Sequence, residues 1–356
     1  MDTVEPATVQ STLLFVLGMH RSGTSGLTHF IHRLGAEIGQ NLLEPMAGVN
    51  DEGFWEDGDS VALNERLLAA DGLRWYDCDA IGSMDAADKQ AIRDDAKAHL
   101  ETGYAGRAIT VVKDPRLCRL LPFWRGLCEE CAIEPRLVYV LRHPFAVAKS
   151  LHKRDGIPHE YSILLWLIHT FEAIDAGAGL PALLLDFDRA LSDPVGAAAL
   201  VRERLDVALV DDSEQVQEAA RIALRAELKT QDHQLDGALG FGEMAWLAES
   251  LYRQLLDFHG TDIDLERLVA LREQYRSLCQ RQSADIAMLR RLARELLILS
   301  GEVNRIGELH SNALCIIAER DKEIAEKNQQ IETLLAEIEK QKWPLRRLIP
   351  RIIARE

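Results

Sequence analysis

The residues with the most evident chemistry lie in FVLGMHRSGTSGL, residues 15–27. A strand-like run meets Gly18, a short loop follows, and Gly23-Thr24-Ser25 opens an apolar helix. Backbone amides from Ser22 to Gly26 at such a helix start form a cradle for an anion, and Thr24 and Ser25 add hydroxyl donors. The triphosphate-binding version of this loop reads GxxxxGK[ST]. Here Thr24 stands where that lysine belongs, and the cation sits inside the loop as Arg21. The pattern points to a phosphate-bearing ligand held without the usual lysine. The bland alternative is a glycine turn that only joins strand to helix.

Two more stretches carry charge at strand ends. In PRLVYVLRHPFAVAKSLHKRDG, residues 135–156, a strand ends in Arg142 and a helix carries Ser150 and Arg154. Residues four apart share a helical face, so Ser150 and Arg154 can meet Arg142 at one point. Two arginines and a hydroxyl make a discrete phosphate site, since guanidinium binds phosphate bidentately. In ITVVKDPRL, residues 109–117, Lys113 follows a buried strand and is placed to hold charge that develops on a transferred group. A solvated Lys113–Asp114 pair is the alternative.

The elements that must position these residues read as strands at 13–17, 109–112, 136–141 and 182–186, each nearly all apolar. Such runs fit strands buried on both faces of a parallel sheet. Helical patterns at 27–34, 60–70, 86–101, 145–153 and 161–176 alternate with them. The expected fold is α/β, a P-loop parallel sheet flanked by helices, with ligands at the strand C-terminal ends. Residues 195–280 read as helical, so one domain spans 1–280.

From 281 to 342 the pattern changes. Leu289, Leu296, Val303, His310, Ile317, Ile324, Ile331 and Ile338 recur every seven residues, and Leu292, Leu299, Ile306, Ala313, Arg320, Lys327 and Leu334 follow each by three. That seam predicts a coiled coil of roughly 75 Å at 1.5 Å per residue, and with it a homo-oligomer. A helix folded back on its own domain is the alternative. Trp343-Pro344 is expected to stop the helix. The basic apolar tail, 343–356, carries four arginines among Leu and Ile and suits an anionic membrane surface or a partner.

Bulk properties bound the partners. The chain has 356 residues and a net charge of −16, which argues against nucleic acid as a ligand. An anionic ligand then needs a local cluster of cations. The six cysteines show no disulfide framework, and Cys128-Glu-Glu-Cys131 is a lone pair without metal-binding companions in the sequence. No window of about 18 apolar residues and no secretory-type start is evident, so the expectation is a cytoplasmic protein.

Taken together, the three stretches resemble the sulfotransferases that use 3′-phosphoadenylyl sulfate (PAPS). The Arg21-Ser22-Gly23-Thr24 loop, the Lys113-Asp114-Pro115 turn and the Arg142, Ser150, Arg154 spacing are similar to the tyrosylprotein branch and to bacterial carbohydrate sulfotransferases. Residues 183–194, LLLDFDRALSDP, resemble a late strand-to-helix segment of that fold, so the likeness covers about 12–210. It implies that Arg21, Ser22, Gly23, Thr24 and Ser25 hold the 5′-phosphosulfate. Arg142, Ser150 and Arg154 would hold the 3′-phosphate, and transfer would need no metal. The product would be adenosine 3′,5′-bisphosphate (PAP). Arg21 and Lys113 would neutralise the leaving phosphate and the sulfuryl oxygens.

The acceptor hydroxyl needs a base. Glu44, Glu52 and Glu56 are candidates, and Glu56 is preferred because Phe54-Trp55 precede it and desolvation raises a carboxyl pKa. Asp114 is an alternate base or an orienting partner for Lys113, and His20 is read as structural. The Arg-Lys-Gly motif of the phenol and steroid branch is absent from the sequence. That disfavours the phenol and steroid branch. A glycan or glycolipid hydroxyl is the expected acceptor, because the basic apolar tail, 343–356, could carry the enzyme to the membrane where such an acceptor sits, with protein tyrosine still open. Competing readings are a non-catalytic nucleotide-fold scaffold that presents the coiled coil, and a P-loop kinase.

Overall fold

The computed structural model describes residues 10–44, 53–224 and 242–353, with side chains through 340. A five-stranded parallel sheet runs in the order β2-β3-β1-β4-β5, with β1 Ser11–Leu17, β2 Glu37–Ile38, β3 Ile109–Lys113, β4 Ile133–Leu141 and β5 Ala182–Asp186. Every residue of β1 is buried. Leu13, Phe15 and Leu17 face one core and Leu14 and Val16 the other, the alternation that a strand covered on both faces imposes. β1 lies between β3 and β4, so the chain reverses direction of sheet growth beside it. Ligands bind at such a switch point, beyond the strand C-terminal ends.

The register brings the chemistry to that edge. Val16 pairs with Lys113, Leu17 with Tyr139, and Leu141 with Asp186. The helices that pack the sheet and flank this edge are α1 Thr24–Arg33, α2 Gly58–Ala70, α3 Gln90–Gly103, α4 Leu117–Glu130, α5 Pro144–Asp155 and α6 His159–Ala176. They are followed by α7 Phe187–Ser192, α8 Pro194–Arg204, α9 Ser213–Ala223, α10 Gly242–Leu256 and α11 Leu265–Arg281. Two elements differ from the sequence reading. The edge strand β2 has two residues and no alternation to betray it. Helix α4 begins four residues after Lys113 and contains Pro122, which masks its period. Its Cys128 is buried, and burial pushes that thiol up to about 12, so the Cys128/Cys131 pair holds no ready thiolate.

Helix α12, Ser283–Ile353, is 71 residues long. Its first turns belong to the compact unit that extends to Leu297. Ala293 is fully buried there, and Ile286, Leu289 and Leu297 pack against the core. Arg294 bonds Asp77 at 2.5 Å, and Arg290 pairs with Asp79. Leu289 thus serves the domain core, not the free seam. The second unit, Ile298–Glu356, begins beyond this docking. All residues from 301 to 340 are exposed. The stop expected at Trp343-Pro344 is corrected, because the helix continues to Ile353. A proline removes one backbone bond and crowds the preceding turn, a loss that a helix bonded on both sides absorbs. Side chains of the basic tail lie outside the described residues. Among the described residues no helix is long and apolar enough to cross a membrane.

Candidate functional site

The loop after β1 folds tightly because its glycines have no room for a side chain. Gly23 has φ 87°, and a Cβ there would stand 2.3 Å from the Phe187 ring. Arg21 itself has φ 70°, a left-handed conformation uncommon for a side-chain-bearing residue and typical of functional loops. The amide of Ser22 bonds the Met19 carbonyl at 3.0 Å and closes the turn. Helix α1 then starts with no side chain capping its first N–H groups. Those orphan donors and the positive helix end suit an anion.

A cleft of about 660 Å³ opens over this loop, within the usual size of small-molecule sites. Arg21, Lys113, Arg116, Arg142 and Arg154 all line it. This is the local cation cluster that an anionic ligand requires of a chain with net charge −16. Arg142, at the end of β4, donates to the Arg21 carbonyl at 2.8 Å and lies 5.4 Å from the Phe187 ring. Arg21 donates to Ser150 Oγ at 2.8 Å. Arg154 holds Asp155 through two nitrogens and lies 5.7 Å from the Trp75 ring. Burial, and then the charges of Arg154 and Arg142, pull Arg21 below its ordinary pKa, and burial does the same to Arg142. Guanidinium groups remain charged through such shifts. Arg21 reaches from the loop to Ser150 on α5 and its carbonyl accepts from Arg142, so the loop adjoins the Arg142 and Ser150 group. Thr24, Ser25, Gly23 and Gly26 line the cleft, whereas Ser22 is buried beneath it.

Lys113 and Glu56 meet in the cleft wall. Nζ of Lys113 donates to Glu56 Oε1 at 2.5 Å, to Ser25 Oγ at 3.0 Å and to the Phe54 carbonyl at 3.2 Å. All three ammonium protons are used, tying β3, the loop helix and segment 53–57 together. The two side chains are 4% and 7% exposed. Burial pushes the Glu56 carboxyl up, Lys113 pulls it back, and the net direction is upward. Neighbouring Asp57 fixes this segment: its carboxylate caps α2 through the Ser60 amide at 3.0 Å, accepts from Tyr104 at 3.1 Å, and lies 2.9 Å from His99 Nε2.

Glu44 is exposed and stands outside the cleft lining, and Glu52 lies outside the described residues. The suggestion that Asp114 serves as a base or orients Lys113 is corrected. Asp114 is fully buried, its Oδ1 accepts from the Arg116 amide and guanidinium, and its Oδ2 accepts from Asn64 at 2.8 Å. Three cleft residues, Arg116, His29 and Trp75, escaped the reading. Arg116 is held by Glu65 and Asp114, and its position two residues beyond the Lys113-Asp114 pair was the available signal. Trp55, at φ 56°, stacks on His29 with ring centres 3.8 Å apart, and Trp75 borders the arginines.

Fold and cleft together define an α/β protein with a cation-lined cleft at the switch point of a parallel sheet. No protein-family model matches the chain, and no curated relative does. Among solved structures, the sulfotransferase domain from the Synechococcus PCC 7002 olefin synthase is similar, with a TM-score of 0.34 and 15% identity over 78% of this chain and 98% of that one. Likeness at that level carries no weight beside the geometry of the site.

Proposed function

We propose that this chain is a sulfotransferase that moves a sulfuryl group from PAPS to a hydroxyl acceptor. One observation carries the reading: a buried acid, Glu56, and a buried cation, Lys113, sit against the loop helix in a cleft that also collects Arg21, Arg142 and Arg154. PAPS supplies an activated S–O bond and two separate phosphate positions. The loop with Arg21, Ser22, Gly23, Thr24 and Ser25 would hold the phosphosulfate end. Arg142, Ser150 and Arg154 would hold the 3′-phosphate, with Arg21 free to exchange Ser150 for ligand oxygens. Arg21 and Lys113 neutralise the charge that gathers on the leaving phosphate as the acceptor oxygen bonds to sulfur. Glu56 takes the acceptor's proton, and a carboxyl raised by burial is a better base than a solvated one. PAP leaves with the electron pair of the broken S–O bond.

The acceptor proposed is a carbohydrate hydroxyl. Trp55 offers an apolar wall beside Glu56 against which a sugar ring can lie. A cytoplasmic setting is part of the reading, supported by six cysteines held as free thiols. The arm from residue 298 is proposed to pair with a second copy through its seam, and the basic tail to meet an anionic membrane surface.

Calorimetric titration with PAP and with Mg-ATP, on wild type and Arg142→Ala, tests the donor. The expected result is PAP binding without added metal, weakened at least about tenfold by the substitution, as loss of a charge-assisted contact implies. Folded protein that binds no PAP would overturn the reading in favour of a scaffold. Binding of Mg-ATP alone would favour a kinase.

A further inference from the structure

His20 precedes Arg21 and lines the cleft. Its Nε2 is closed off from solvent and has no hydrogen-bond partner among the described residues. Native proteins leave few buried polar atoms unpaired, and each one asks for an explanation. His169 provides a contrast. Its Nε2 is also unpartnered, but its Nδ1 bonds the Leu165 carbonyl at 2.8 Å and its ring borders an apolar void of about 30 Å³. Packing within α6 accounts for His169. His20 instead leans on Trp75, with ring centres 4.2 Å apart and a tilt of 50°, at the edge of a cleft that has room for several ligand atoms.

The charged and titratable groups around His20 are Arg154 from α5, Lys113 from the end of β3, Arg116 at the start of α4, and His169 from α6. Burial first, and then these groups, hold its pKa well below the usual 6.5. Burial and these charges favour the neutral ring in the free protein. A neutral imidazole still offers one N–H, and here the surrounding cations attract the very ligand that would accept it.

We propose that His20 is a direct contact of the bound anion, its ring turning so that the unpartnered Nε2 leaves its closed position and donates to a phosphate or sulfuryl oxygen in the cleft. The proposal rests on the donor reading above for the identity of that anion. The contact has a linked consequence. An anion seated among Arg154, Arg116 and Lys113 offsets the charges that oppose protonation of His20, so its pKa rises on binding. Binding then takes up protons between the free and bound values, and affinity gains as pH falls through that interval. The ligand's own phosphate, with a second ionisation near ~6, works in the opposite direction and does so in every variant.

The test compares His20→Phe, which keeps a ring against Trp75, with His20→Gln, which restores a donor near Nε2. PAP titrations from pH 8 to 5.5 are run on the full chain, in buffers of different ionisation enthalpy. His20→Phe is expected to weaken PAP about tenfold, the loss typical of a hydrogen bond to a charged group. His20→Gln should stay within about threefold of wild type, and only wild type should show the extra proton uptake. Melting temperatures of the free variants report on folding. Equal PAP affinity and equal proton uptake in wild type and His20→Phe, with Arg142→Ala still weakened, would overturn the His20 contact and leave the donor reading intact. Failure of wild type to bind PAP would overturn the donor reading. Pyrophosphate then replaces PAP, and equal or absent binding in wild type and His20→Phe overturns the contact as well.

Discussion

The cleft and the arm invert the usual arrangement of a folded chain in opposite ways. In the cleft wall, Lys113 and Glu56 carry charge at 4% and 7% exposure. Along the arm, Val303, Ile306, Ile317 and Ile324 are between 55% and 67% exposed. Burying charge without pairing is costly, and so is leaving a continuous apolar stripe in water. The cleft meets its cost internally, by spending all three protons of Lys113 on protein oxygens. The arm has no such device among the described residues from 301 onward, and the proposed pairing with a second copy would supply one. One region closes its buried charges on itself, and the other leaves its apolar stripe in solvent.

The sharpest way to break that contrast is to unpair the cleft. Lys113→Met leaves the Glu56 carboxylate buried without its cation and should destabilise the fold by about 3–5 kcal/mol, read by chemical denaturation. Sulfuryl transfer should fall by about 10²–10³, as when one oxyanion donor is lost. Lys113→Met with Glu56→Leu replaces the pair by apolar groups and should recover most of the stability and none of the activity. A double variant as unstable as the single one would mean that the pair does more for folding than hold itself together.

The arm should respond in the opposite sense. Ile317→Asp with Ile324→Asp makes the exposed stripe more soluble and should leave the melting temperature of the compact unit unchanged. Self-association measured by sedimentation should weaken about a hundredfold, since each seam position contributes on the order of 1.5–3 kcal/mol when buried. PAP affinity should remain within about twofold. A wild-type chain that sediments as a monomer at high concentration would remove the second copy as the occupant of the seam.

Gly23 offers a smaller disturbance inside the cleft. In Gly23→Ala the new Cβ meets the Phe187 ring at 2.3 Å, in a backbone conformation that disfavours any side chain. Overpacking of this kind costs about 1–3 kcal/mol and displaces the loop, so PAP binding should weaken more than the melting temperature suggests. Gly35, also at positive φ but with open space around it, is the control position.

The legible and hidden parts of this molecule divide along physical lines. Four strands were readable because burial on both faces makes a run of apolar residues, and Lys113 and Arg142 were readable because charge directly after such a run has few structural uses. Segment 53–57 was half readable: Trp55 announced desolvation for Glu56, but nothing local announced that Lys113 would be its partner across 57 positions of sequence. Asp114 was misread for the same reason, because its partner Asn64 arrives from α2. Pro344 was misread because a strong local rule ignores the bonded turns on either side. Local chemistry is written in the sequence, whereas pairing between distant elements is settled by the register of the sheet.

The least of the expected effects concerns how Glu56 is kept in place. Burial tends to raise the Asp57 carboxyl, but hydrogen bonds from His99 and Ser60 outweigh it and hold the group below its ordinary value. A carboxyl with a depressed folded pKa contributes stability above its unfolded value of about 3.9, and that contribution is lost as pH falls through the folded value. Asp57→Ala should therefore cost about 1 kcal/mol at pH 7, the usual worth of an N-cap lost to alanine, with the difference from wild type shrinking as pH falls below about 4. If Asp57 only caps α2, transfer activity should fall in proportion to the folded fraction. If it also holds Glu56 in place against Lys113, turnover should drop in fully folded protein while PAP affinity stays the same. That split between turnover and donor binding separates a cap from a positioning residue.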